Sequence, residues 1–216
     1  MNVRSEPEAD EPRPDVLVLG IGNVLWADEG FGVRAVEALH RRWEMPANVS
    51  VIDGGTQGVY LLDHVCSAER VIVLDAIDFA LPPGTLRVFR DADVPEGSGA
   101  AMSLHQATFQ ELLSLARVRG RFPARITLIG VQPAVLDDLG GSLSAPVRAR
   151  LDEAVELAVA ELRAWGLEPQ PRVAEPADPL AADALALDVY EAGRPSARDA
   201  CRIGDPRFLH QTWGNA

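Results

Sequence analysis

Three carboxylates in this 216-residue chain stand where chemistry can be done. Glu29, Asp53 and Asp75 each follow a short apolar run, at residues 16–19, 49–52 and 71–74. Runs of that length fit strands buried on both faces, and an open parallel sheet binds its ligands outside the carboxyl ends of its strands. Acids gathered on one such rim repel each other unless a cation joins them. A competing account has each acid capping the next helix or accepting N–H bonds inside its own loop. That account suits Asp53, which precedes Gly54-Gly55-Thr56, better than it suits Glu29 or Asp75.

Of the four histidines, His105 stands apart. It follows a glycine- and serine-containing run at 96–103 that is able to carry it over the sheet rim. His40 and His64 lie in helical stretches beside charged neighbours, which favours surface roles, and His210 falls in an irregular tail. Two carboxylates and one imidazole make an O,O,N donor set. It is too hard and too open for structural zinc, but it suits a loosely held divalent transition metal with positions left for an outside ligand. Below about pH 6 protons compete for those donors.

Positioning these groups takes a layered scaffold. The run at 16–19 empties through Gly20 and Gly22 toward a helix starting at Gly30 or Phe31, whose apolar face is Val36, Leu39 and Trp43. A second helix is expected over 58–68, and an edge strand over 86–89. A third helix passes through Leu112, Leu113 and Ala116, and a fifth strand spans 126–131. The last core helix starts with Ser144 as N-cap and Pro146 in its first turn, and Gly166 stops it. Strands alternating with helices predict an α/β fold. The expected architecture is an open, mostly parallel, twisted five-stranded sheet with helices on both faces. A disordered tail over 1–14 precedes the domain at 15–166. A proline-rich linker and irregular extension, with a short alanine-rich helix over 180–192 and Phe208 and Trp213 further on, fill 167–216.

Composition narrows the function. A net charge of −12 argues against nucleic acid and anionic membranes. No apolar stretch approaches a membrane span, and the N-terminus has no secretory pattern, so a cytoplasmic protein without membrane insertion is expected. Cys66 and Cys201 have no metal spacing, and Cys66 reads as a buried reduced thiol. Gly20-Ile-Gly-Asn-Val-Leu25 begins like a dinucleotide fingerprint, but Leu25 replaces its third glycine and Asp28 and Glu29 would repel a pyrophosphate. Neither a serine elbow nor a zinc-protease helix is present.

Leu-Gly-Ile-Gly-Asn-Val-Leu-Trp-Ala-Asp-Glu-Gly-Phe-Gly (19–32), Asp-Gly-Gly-Thr (53–56), Val-Leu-Asp-Ala-Ile (73–77), Ser-Leu-His-Gln (103–106) and Leu-Ile-Gly-Val-Gln-Pro (128–133) together resemble the [NiFe]-hydrogenase maturation endopeptidases. The resemblance runs through essentially the whole domain. It implies a protease that removes a short C-terminal peptide from the hydrogenase large-subunit precursor once nickel has been inserted. The family's nickel contacts map onto Glu29, Asp75 and His105. The metal is then nickel supplied by the substrate, with other divalent ions able to occupy the site in isolation. Asp53, the matching acid of Asp-Gly-Gly-Thr, is given a catalytic or loop-shaping part. Whether a metal-activated water or a carboxylate base (Asp53 or Asp75, in the manner of an aspartyl protease) drives cleavage stays open. Two other readings are a nickel-checking chaperone that does not cut and a dinucleotide enzyme.

Overall fold

The computed structural model describes residues 15–95, 104–180 and 182–194 and, for 104–108 and 183, the backbone alone. The expected N-terminal tail, Cys201, Phe208, His210 and Trp213 lie outside the described residues. In chain order, β1 (Val16–Ile21) leads to α1 (Phe31–Arg42), the short β2 (Trp43–Glu44), β3 (Val49–Gly55), α2 (Leu62–Ser67) and β4 (Arg70–Ala76). Then come β5 (Leu86–Arg90), α3 (Leu104–Val118), β6 (Arg125–Val131), α4 (Ala145–Arg148), α5 (Leu151–Ala164), β7 (Gln170–Pro171) and α6 (Leu187–Ala192).

The main sheet has five strands in the order β3-β1-β4-β6-β5. The first four run parallel, and β5 lies antiparallel to β6 along the edge. This is the open, mostly parallel sheet that the alternating pattern implies. Every residue of β1 is buried, because the strand is covered on both faces. Val16, Val18, Ile72, Leu74 and Ile129 pack with Val36 and Leu39 of α1 and Val155 and Leu162 of α5. Leu17, Leu19, Val71, Val73 and Leu128 point the other way, toward Leu62 and Val65 of α2 and Leu112 and Leu113 of α3. Each such aliphatic side chain contributes roughly 1.5–3 kcal/mol through burial, so the two layers hold the sheet from both sides. The chain leaves β1 for β3 on one side and returns to β4 on the other, which puts the topological switch point between β1 and β4.

Two expectations about the last core helix change. It is broken: α4 ends at Arg148 and α5 begins at Leu151, with Arg150 N–H donating to the Val147 carbonyl in a tighter turn. Ser144 occupies the N-cap position without a side-chain cap, since its hydroxyl donates to Asp28 Oδ2 at 2.8 Å instead. Trp165 sits at the end of α5 and Gly166 follows at φ +81°, the left-handed stop expected there.

Packing continues past Gly166. β7 pairs antiparallel with β2, Leu167 is buried, and Leu180 and Leu187 rest partly buried on the core beneath α1 and α5. The helix expected over 180–192 is the six-residue α6, preceded by a 3-10 turn at Asp183–Leu185. His64 is exposed as expected, whereas His40 is half-buried with Nε2 2.9 Å from the Asp178 carbonyl. Cys66 is a free thiol, only partly buried. No helix among the described residues is long and apolar enough to cross a membrane.

Candidate functional site

The first turn of α1 lies directly on the sheet backbone at the switch point. A Cβ on Gly32 would come within 2.1 Å of the Leu74 carbonyl oxygen and 2.3 Å of that of Ile21, so only glycine admits this approach. Gly22, at φ +138°, turns the chain under the Glu29 carbonyl, which accepts an N–H from Asn23 at 3.2 Å. These two glycines bring the 3-10 turn Ala27–Gly30, and Glu29 within it, to the carboxyl ends of β1 and β4.

Asp75 is the penultimate residue of β4 and is 3% exposed. Its Oδ1 accepts the Ala76 N–H at 2.8 Å. Burial raises its pKa well above the ordinary carboxylate value, the Ala76 bond opposes this, and the Glu29 charge adds to it. Burial raises Glu29 as well. Glu29 and Asp75 thus share one rim, and the charge of one raises the pKa of the other.

Asp53 has different company. It lies inside β3, half-buried, and its Oδ1 accepts the Gly55 N–H at 2.9 Å, shaping the glycine turn. Burial raises its pKa, while that bond and the Arg34 guanidinium pull it down. Its electrostatic neighbours are Arg34 and Glu37 rather than Glu29 and Asp75. His105 is the second residue of α3, and its side chain lies outside the described residues. Among the described side chains no group of three or more His, Cys, Asp or Glu gathers to hold a metal.

Two residues to which sequence reasoning gave no part in the site hold its surrounding loops. Asp28, fully buried, accepts from Ser144 N at 2.6 Å through Oδ1. Its Oδ2 takes Ala134 N at 2.8 Å, Val135 N at 2.9 Å and the Ser144 hydroxyl. It therefore clamps the loop at 132–144 against the turn that carries Glu29. Nothing beside it in the sequence separates this structural acid from its neighbour. Gln132, the Gln of Gln-Pro, accepts the N–H groups of Phe79 and Leu81 at 2.7 and 3.1 Å and donates to Asp78 at 3.0 Å. It fixes the loop that follows Asp75, and its place directly after a strand was the only hint of that role.

The rim thus carries one buried and one partly buried acid, each with its pKa raised by burial. Residues 33–161 match the family model of the hydrogenase maturation proteases, HycI. The hydrogenase expression/formation protein HoxM of Cupriavidus necator is 54% identical over 199 residues, covering 91% of this chain and 98% of that protein. HupD of Rhodobacter capsulatus is 55% identical over 195 residues, covering 90% and 92%. Among solved structures, the Escherichia coli hydrogenase maturating endopeptidase HybD superposes with a TM-score of 0.68 at 40% identity, covering 73% of this chain and 97% of that one. The chain belongs to the hydrogenase maturation endopeptidases, a family of hydrolases.

Proposed function

We propose that this protein removes the C-terminal peptide of a [NiFe]-hydrogenase large-subunit precursor after nickel insertion, reading that nickel through Glu29, Asp75 and His105. The observation that carries the reading is the pairing of Glu29 with buried Asp75 at the β1/β4 switch point, where each acid is held above its ordinary pKa. Two carboxylates and an imidazole, without a thiolate, form a poor permanent nickel store. They are suited to complete the coordination of an ion that the substrate brings, and other divalent ions would occupy them in isolation. Docking on the ion places the scissile bond, and such positioning supplies several kcal/mol of a barrier. Cleavage thereby becomes conditional on metal insertion.

Asp75, on the rim beside Glu29, is the better placed of the two aspartates to accept a proton in cleavage. Asp53 supports the crevice through its Gly55 turn. Intact-mass analysis of nickel-loaded and nickel-free precursor, with and without this protein, tests the reading. Loss of a C-terminal peptide from the nickel-loaded form alone is expected. A stable, uncut complex would instead make the protein a nickel-checking chaperone, and cleavage indifferent to nickel would remove the metal from recognition.

A further inference from the structure

Arg34 is 3% exposed, although it lies on α1 only five residues beyond Glu29. Its Nη1 donates to Glu37 at 3.0 Å and to the Leu185 carbonyl, and its Nη2 has no partner among the described residues. The Tyr190 ring of α6 covers the guanidinium, with 5.6 Å from Cζ to the ring centroid. The other edge of α6 grips the loop at 132–144. The Tyr190 hydroxyl donates to the Gly141 carbonyl at 3.2 Å, and the Ser142 hydroxyl donates to Glu191 at 2.6 Å. Arg194 Nε donates to the Gly140 carbonyl at 2.8 Å, and Arg148 pairs with Glu191. That loop is joined in turn to the segment before Glu29. Gly140 N–H bonds the Leu25 carbonyl at 2.7 Å, Trp26 bridges Leu139, and Asp28 takes the Ala134, Val135 and Ser144 N–H groups.

These contacts close on themselves. From Glu29 the path runs along α1 to Arg34, across Leu185 and Tyr190 to α6, down Glu191 and Arg194 to the loop, and back through Leu25 and Asp28 to Glu29. We propose that α6, which lies beyond the family-matched residues 33–161, is a positioning element for the reaction. Tyr190 and Glu191 hold the Glu29 turn at the height at which it meets the substrate's metal. The inference rests on the reading of Glu29 given above. The physical need is specific: Glu29 sits on a 3-10 turn of four residues whose N-cap makes no side-chain bond. So short a turn is held by tertiary contacts rather than by its own hydrogen bonds. A displacement near 1 Å at a reacting group costs about a hundredfold in rate, so a brace against such drift has a measurable consequence.

The test uses the full chain as wild type, Glu191→Gln and the double variant Tyr190→Ala/Glu191→Ala. Backbone amide exchange is read at Asn23, Asp28, Ala134, Val135, Gly140 and Ser144, with β4 and β6 amides as internal controls. Processing of nickel-loaded precursor is followed as kcat and KM. The double variant is expected to exchange about tenfold faster at those six amides while the strand controls hold, and to lose about tenfold in kcat/KM, chiefly through KM. Glu191→Gln, which keeps Tyr190 and an acceptor for the Ser142 hydroxyl, is expected to stay much closer to wild type than the double variant in both readouts. Unchanged exchange at the six amides overturns the proposal, and so does faster exchange with wild-type kcat/KM. A wild-type protein that leaves the precursor uncut would sink the functional reading instead, and the exchange arm would still decide whether α6 holds the Glu29 turn.

Discussion

Burial lifts the Asp75 carboxyl well above the ordinary carboxylate range, and the Glu29 charge adds to this, so the folded chain keeps its proton to higher pH than the unfolded chain does. Stability therefore falls as pH rises from the unfolded pKa toward the folded one, and the full penalty remains at higher pH. Asp75→Asn keeps an oxygen for the Ala76 N–H and removes the charge. The metal-free variant is expected to melt above wild type at pH 7, by about 2–4 °C for each kcal/mol recovered. The gap should close below about pH 4, where wild type is protonated in both states. Calorimetry across that range reads it, and an equal or lower melting point at pH 7 contradicts the burial argument. The same variant should not process precursor. Glu29→Gln and His105→Ala are expected to keep their fold by circular dichroism and to lose processing by about a hundredfold or more in a mass-spectrometric assay.

At the scale of elements, the approach of α1 to the sheet decides where Glu29 goes. Gly32→Ala sets a methyl against the Leu74 and Ile21 carbonyl oxygens, so α1 must lift or the sheet must part. The expected loss is about 1–3 kcal/mol in urea unfolding, with processing impaired beyond what the stability loss explains. A variant of wild-type stability would mean that the helix start is not pinned there. The strands themselves were legible from their apolar runs, since a parallel strand covered on both faces is predominantly apolar, with Ser50 and Thr127 as single polar interruptions. Their ends were less so. The run at 49–52 stops at Ile52, yet β3 continues through Asp53 to Gly55, because backbone pairing with β1 carries it on. Ser144 carried the residue type of a helix cap, but a buried carboxylate 116 residues away took its hydroxyl. Long-range claims of that kind leave no local periodicity to read.

Across the whole molecule, the sheet, its two helical layers and the candidate acids were readable in the chain, and the packing of its C-terminal part was not. Prolines at 169, 171, 176 and 179 look like a linker, but Pro171 pairs with Trp43 and Arg172 N–H bonds the Arg42 carbonyl at 2.7 Å. Truncation after Gly166 should leave a soluble domain that has lost the cover of Leu167, Leu180 and Leu187. A stability loss of about 2–5 kcal/mol in urea is expected, and aggregation or wild-type stability would contradict it. The central claim is that one rim of the sheet, between β1 and β4, holds a single ion from both sides. A crystal structure of the protein with a nickel or cadmium ion tests it most directly. The account predicts one ion about 2–2.3 Å from carboxylate oxygens of Glu29 and Asp75 and from an imidazole nitrogen of His105. An ion bound elsewhere, or His105 turned away on another face while the acids hold the metal alone, would contradict it.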